Sequence, residues 1–291
     1  MNNQLVTSIK QTLQAAAEAL KALSHSTPEL EASVLLCHLL GKSRSFLYAW
    51  PDKLLTELQS ANFEKLIKRR LEGEPIAHIT GVREFWSLTL KVTSATLIPR
   101  PETELLVEQA LEHLQKTPSP MVADLGAGSG AIALAIANER PDCTLHATDA
   151  SDAALKIAGE NIQSLNLKNV VLHHGDWFHA LPKGVVYDLI LSNPPYIAEQ
   201  DPHLSQGDLP REPGCALTSG TDGLNDIRII VSQAPQQLKP GGWLLLEHGY
   251  EQGEAVRDLL QKAGFRKIRT LRDLAGHERV SEGRRPDPSN Q

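Results

Sequence analysis

Only three cysteines occur in the 291 residues, and Cys37, Cys143 and Cys215 are too scattered for a disulfide framework or a zinc site. Each is read as a reduced packing residue. No window approaches about 18 uninterrupted apolar residues, so a membrane span is not expected. The opening stretch MNNQLVTSIKQTLQ follows neither a secretory nor an Arg-rich transit pattern, which points to the cytosol. Positive charge is not in excess: the formal net charge is −6, which disfavours a broad nucleic-acid surface, because phosphate neutralisation needs clustered cations. The imbalance is uneven, near +1 over residues 1–75 and near −7 over the rest. The sequence has no internal repeat, and it has no GxxxxGK[ST], which disfavours P-loop phosphoryl transfer.

What is present is ordinary for a globular enzyme, with 41% hydrophobic and 22% charged residues. The length exceeds that of a usual single domain, so one large or two unequal domains are expected.

The first part reads as helices. Leu5, Ile9, Leu13, Ala16, Leu20 and Leu23 recur at spacings of three and four. A second helix is expected from a Ser26 cap, with Pro28 in its first turn and Glu29 as capping-box partner, to Gly41. A third follows, then a fourth over about residues 52–71. The cluster KLIKRR on the fourth reads as a solvated helix face, with contact to a polyanion or an acidic partner as the sharper alternative.

Beyond EGEPIAHITG the period changes. Trp86, Leu88, Leu90 and Val92 fall on one face of an extended segment, read as a linker hairpin. LIPRPETELLVEQALEHL then opens a helix with Pro101, Glu102 and Glu104 at its start. PMVADLG, TLHATDA, NVVLHHGD, YDLILSN and GWLLLEHG are apolar β-rich runs alternating with helical segments such as 130–138 and 151–165. Such alternation predicts an α/β fold, Rossmann-like, with a mostly parallel, doubly wound sheet. Runs at 267–271 and 278–281 are expected as edge strands, and the tail GRRPDPSNQ as disordered. The expected domains are a helical bundle at 1–76, a linker hairpin at 77–100, a catalytic domain at 101–283 and a disordered tail at 284–291.

Chemistry gathers where strands end. After Asp124 the loop Gly126, Ala127, Gly128, Ser129, Gly130 enters a helix; its glycines permit positive φ and close approach of a ligand, and the helix start offers free N–H groups. Asp149 ends the next run, 19 residues after Gly130, where a carboxylate can accept both ribose hydroxyls of an adenosine. Asp176 can meet the adenine amino group, and Trp177 can lie against its ring. NAD, ATP and S-adenosylmethionine all carry that adenosine.

The fourth run ends in Asn193, Pro194, Pro195, Tyr196. The prolines stiffen the turn and remove two donors, leaving carbonyl acceptors suited to a planar NH2 group. The Asn193 side-chain oxygen accepts one N–H, the Pro194 carbonyl the other, and Tyr196 packs on the face. An amide nitrogen is a poor nucleophile, and holding both its hydrogens orients it and stabilises the positive charge that builds on it. No strong base is required.

At these residues the sequence resembles the class I S-adenosylmethionine-dependent methyltransferases with an (N/D)PP(Y/F) motif. More narrowly it resembles the bacterial release-factor glutamine N5-methyltransferases, the HemK or PrmC family, through EPIAHITGVREFW, LIPRPETELLVE, DLGAGSGAIALA, SNPPYI, EPGCAL, LLLEHGYEQGEAV and DLAGHERV. The resemblance implies methylation of the glutamine amide in the GGQ motif of class I peptide chain release factors, with S-adenosylmethionine as donor, S-adenosylhomocysteine as product and no metal. Carried over, Gly126, Ala127, Gly128, Ser129, Gly130, Asp149, Trp177 and Asn193 bind the cofactor, and Asn193, Pro194, Pro195 and Tyr196 hold the glutamine and carry catalysis. The helical bundle becomes a substrate-recognition domain of a cytoplasmic monomer that engages neither nucleic acid nor membrane.

Two stretches depart from the family pattern: LTSGTDG, Leu217 to Gly223, which carries a Thr in place of a second small residue, and His277 with Glu278. Neither is expected to touch the chemistry. His173, His174 and His248 lack metal-ligand spacing. The rival readings are a ribosomal-protein glutamine methyltransferase, against which Pro101, Glu102 and Thr103 argue; a DNA or RNA exocyclic-amine methyltransferase; and a non-catalytic adenosine sensor, which has no use for an intact NPPY.

Overall fold

The structure, a computed structural model, describes residues 7–24 and 26–287. Leu5 and the last four residues of the expected tail lie outside them. Contacts divide the chain into two units, Met1–Gly81 with Pro202–Arg211, and Val82–Asp201 with Glu212–Gln291. A ten-residue excursion from the catalytic half thus folds with the helical half, where the sequence suggests a plain boundary near residue 76.

In the helical unit, α1 (Ile9–Leu20) is closed at its start by a reciprocal capping box between Ser8 and Gln11. Helix α2 (Pro28–Leu40) is capped at Thr27, one residue later than expected and without a side-chain cap; Glu31 Oε1 accepts the Thr27 N–H instead, and Gly41 ends the helix in the left-handed conformation. The short α3 (Arg44–Ala49) is capped by Ser43, α4 (Glu57–Leu71) by a Thr56–Gln59 box, and α5 (Ile76–Thr80) stops at Gly81. Ile9, Leu20, Leu35, Leu36, Phe63 and Ile67 form the core of this unit.

The basic cluster on α4 is not uniformly solvated. Arg70 sits one turn beyond Ile67 on the buried stripe, with 8% of its side chain exposed. It donates to Glu31 at 2.9 Å and to Asp208, brought by the excursion, also at 2.9 Å.

The larger unit opens with a hairpin, β1 (Val82–Phe85) and β2 (Leu88–Lys91). Trp86 and Ser87 form its turn with φ of 50° and 60°, so Trp86 lies in the turn rather than in a strand, although it still packs against the same core as Leu88 and Leu90. After α6 (Glu104–Leu114) come β3 (Met121–Leu125), α7 (Ala131–Glu139), β4 (Thr144–Asp149), α8 (Asp152–Ser164), β5 (Val170–His174) and β6 (Tyr187–Ser192). Then follow α9 (Asn225–Gln237), β7 (Leu238–Glu247), α10 (Gly253–Lys262), β8 (Arg266–Arg272) and β9 (Glu278–Arg284).

The sheet order is β5-β4-β3-β6-β7-β9-β8, parallel through β7 and antiparallel beyond, which bears out the mostly parallel α/β expectation. Of the two late strands, β8 lies at the edge; β9 is paired on both sides and runs through Arg284, so the expected tail begins inside a strand. Alternate side chains of one strand enter different cores. Val122 packs with α6, α7 and partly buried α8 residues, while Ala123 and Leu125 pack with α9 and α10. Strand order reverses between β3 and β6, and ligands of such sheets bind beyond the carboxyl ends at that switch point.

Candidate active site

Both motif loops leave the sheet at that place, since Leu125 and Ser192 are register partners at the ends of β3 and β6. In the first loop Gly126, Gly128 and Gly130 have φ of 78°, 57° and 86°, which side chains rarely adopt. The N–H groups of Gly126 and Ala127 both donate to Thr148 O at 2.9 Å, fastening the loop to the end of β4.

Asp149 is fixed by backbone donors. Its Oδ2 accepts the Gly128 N–H at 2.8 Å and its Oδ1 the Ser151 N–H at 2.9 Å, and each oxygen keeps a second lone pair. Trp177 starts a 3-10 turn, and its indole lies so near Gly126 that an added Cβ there would meet Cζ3 at 3.2 Å. Asp176 precedes it on the rim.

A cavity of about 330 Å³ is lined by Gly126, Gly128, Asp149, Asp176, Trp177 and Asn193, together with Pro195. These candidates share one space. Ala127, Ser129 and Gly130 are not in its lining: Ser129 is buried with its carbonyl held by Asn161 Nδ2 at 2.9 Å, and Gly130 lies so close to Leu134 that an added Cβ would meet its side chain at 3.1 Å. Pro194 and Tyr196 also stand outside it.

Residues 95–97 and Pro213, Cys215 and Ala216 are also part of the wall, and Glu212 joins those two segments. Its side chain is fully buried, accepts the Ile98 N–H at 2.9 Å and pairs with Arg100. The sequence alone assigns Glu212 no role, although EPGCAL stands out as a block.

Around the proline turn, Asn193 Nδ2 donates to Thr103 Oγ1 at 3.2 Å, and the Tyr196 hydroxyl donates to Glu247 Oε1 at 3.3 Å. Glu247 is 1% exposed, and burial pushes its carboxyl up to about 7. Burial, then the neighbouring Glu247, pushes the Tyr196 phenol above its usual range. Asp124 is equally buried, accepts the Ala133 N–H at the start of α7, and is pushed by burial up to about 7. Glu247 is detectable in the sequence as one more acid at a parallel strand end, the same signal that marks Asp149.

The LTSGTDG stretch does approach the chemistry, contrary to expectation. Ile197 N–H donates to Leu217 O and Ser219 N–H to Ile197 O, so this stretch pairs with the chain leaving the NPPY turn. A Cβ on Gly223 would fall 2.2 Å from Tyr196 O. Of the histidines, His248 bonds Ser281 and Gly249, and His174 bonds the carbonyl of Ala150, a residue of the cavity wall.

A glycine loop and an NPPY turn at neighbouring strand ends define a methyltransferase of the class I fold. Residues 102–207 match the methyltransferase small domain and residues 11–81 the PrmC N-terminal domain. The fold is shared with a solved methyltransferase from Pyrococcus furiosus at 17% identity, with a TM-score of 0.51 over 75% of this chain and 97% of that one.

Over most of its length the chain is 50% identical to the release factor glutamine methyltransferase of Vibrio cholerae, covering 94% of this chain and 96% of that protein. It is also 50% identical to the protein of that name from Coxiella burnetii, covering 96% and 99%. The chain belongs to the release factor glutamine methyltransferase family, and it is an enzyme of that type.

Proposed function

We propose that the cavity beside Asp149 holds S-adenosylmethionine and that the NPPY turn holds the side-chain amide of the GGQ glutamine of class I release factors. The observation that carries this is the convergence of Gly126, Gly128, Asp149, Trp177 and Asn193 on one cavity at the switch point. The residues fit the group. Asp149 is held by two N–H donors with lone pairs to spare for vicinal hydroxyls, and Trp177 offers an apolar face beside the glycine loop. Ala127, Ser129 and Gly130 serve by shaping the loop.

When bound, the cofactor supplies an electrophilic methyl on a sulfonium, leaving as S-adenosylhomocysteine. The chain's part is to orient the amide nitrogen. Asn193 Oδ1 and the Pro194 carbonyl accept its two hydrogens, and the ring of Tyr196 bounds its plane. Charge that builds on the nitrogen is met by those acceptors, and its proton leaves late, to solvent.

In this reading the helical unit recognises the release factor, and the enzyme works as a monomer in the cytoplasm without binding nucleic acid or membrane. The near-neutral charge of its first quarter and the overall −6 support a protein rather than a polyanion partner.

Labelled S-adenosylmethionine offered with a release factor, a ribosomal protein or nucleic acid in separate reactions, followed by mass spectrometry, tests the reading. Label on the release factor glutamine is expected; label on nucleic acid alone would overturn it.

A further inference from the structure

Beneath the NPPY turn lies a buried polar chain to which methyl transfer, as derived so far, gives no role. Glu247 closes β7, the neighbour of β6, and its Oε1 accepts the Tyr196 O–H at 3.3 Å, a long contact for two oxygens. The Thr103 hydroxyl stands beside the same carboxyl. Thr103 Oγ1 in turn accepts the Asn193 Nδ2–H at 3.2 Å.

These contacts have a direction. A hydroxyl that accepts an amide N–H presents that amide with a lone pair and so fixes which end of Asn193 faces it. Glu247 Oε1 takes the Tyr196 O–H while its Oε2 has no hydrogen-bond partner among the described residues, and Thr103 Oγ1 offers a lone pair to the Asn193 Nδ2–H. With Nδ2 committed there, Asn193 Oδ1 is the end left for a ligand. Turned over, the side chain would set an NH2 against the NH2 of the substrate, two donors face to face, and would leave Thr103 Oγ1 without its donor.

We propose that Thr103 is a positioning residue for methyl transfer, locking the Asn193 amide so that Oδ1 faces the acceptor nitrogen, while Glu247 holds the hydroxyl of Tyr196 in the same turn. The proposal rests on the assignment of Asn193 above and explains the LIPRPETE segment, whose threonine selects the orientation of a side chain 90 residues away. Burial keeps water from substituting for either partner, since Thr103 is 4% and Glu247 1% exposed.

The test uses the full chain and a full-length class I release factor. Thr103→Val removes the acceptor at nearly constant volume, and Thr103→Ser keeps it. For Thr103→Val, kcat is expected to fall about thirtyfold, with KM for the release factor and Kd for S-adenosylhomocysteine within about threefold, the pattern of a lost transition-state interaction. Thr103→Ser recovers most of that loss, and Glu247→Gln lowers kcat less, by placing an amide where the Tyr196 hydroxyl donates.

Where Thr103→Val does not fold, Thr103→Ala against Thr103→Ser makes the same comparison. A folded Thr103→Val or Thr103→Ala enzyme with kcat within twofold of wild type, while Asn193→Ala is inactive, would overturn the proposal and leave the Asn193 assignment standing. Wild-type turnover by Asn193→Ala would instead remove the assignment beneath it.

Discussion

Asp149 and Gly128 are joined across 2.8 Å, the carboxylate at the end of β4 accepting the N–H of the loop that follows β3. One acid therefore holds the glycine loop in its left-handed conformation and faces the cavity at the same time. With the Thr148 carbonyl it fastens the loop, and in the proposed function it also captures the ligand.

Asp149→Ala is expected to weaken cofactor binding by at least about tenfold, the size of a lost hydrogen bond to a charged group. Calorimetry with S-adenosylhomocysteine reads it directly. Asp149→Asn, which still accepts from Gly128, loses less. Unchanged affinity in the alanine variant would remove Asp149 from the cofactor site.

Gly223 bears on the turn from behind. Its φ of 74° and the 2.2 Å between a built Cβ and Tyr196 O leave no room for a side chain. Gly223→Ala must move the backbone at Tyr196, so kcat is expected to fall more than about tenfold with cofactor affinity nearly unchanged. Steady-state kinetics with calorimetry separates the two, and wild-type kcat would show that the turn tolerates the shift.

Arg70→Met leaves Glu31 buried without its cation. Loss of one partner from a buried pair destabilises by roughly 3 kcal/mol, expected here in denaturant unfolding of the helical unit followed by a probe placed in it. Adding Glu31→Gln should restore part of the loss. A change below about 1 kcal/mol would mean that water replaces the guanidinium.

Asp124 and Glu247 set a pH dependence of stability. Burial raises both carboxyls to about 7 from ordinary values of 3.8 and 4.5, with Asp149 adding to the first and Glu102 to the second. The folded state holds these protons more tightly than the unfolded chain. Their contribution is therefore complete below about pH 4 and is lost as pH rises through about 7. The unfolding midpoint of the wild type by calorimetry, relative to Asp124→Asn, should fall as pH rises from about 4 to 7, since the opposing contribution of His146, His173 and His248, lowered by burial, is common to both. A wild-type midpoint that rises relative to Asp124→Asn across that range would contradict the sign.

The parallel strands are legible in the sequence because each is a short apolar β-rich run ending in a glycine, an acid or the proline turn, and those signals are local. Arg70 is not, because a charge run suggests solvent, yet Phe63, Ile67 and Arg70 are spaced four and three apart on α4, and that stripe is buried. Trp86 reads as a strand residue because alternation cannot reveal a two-residue turn whose residues are neither glycine nor asparagine. The excursion of residues 202–211, the Glu212 link to Ile98 and the Thr103 contact with Asn193 rest on pairings 90 or more residues apart. No periodicity encodes such pairings.

In the proposed function Asn193 lines the cofactor cavity and acts chiefly on the amide during transfer. Asn193→Ala, assayed by single-turnover methylation of a class I release factor with calorimetry of S-adenosylhomocysteine alongside, tests it most directly. Methyl transfer should fall by at least about a thousandfold while cofactor affinity stays within about tenfold. Near wild-type methylation of the glutamine by this variant would contradict the account.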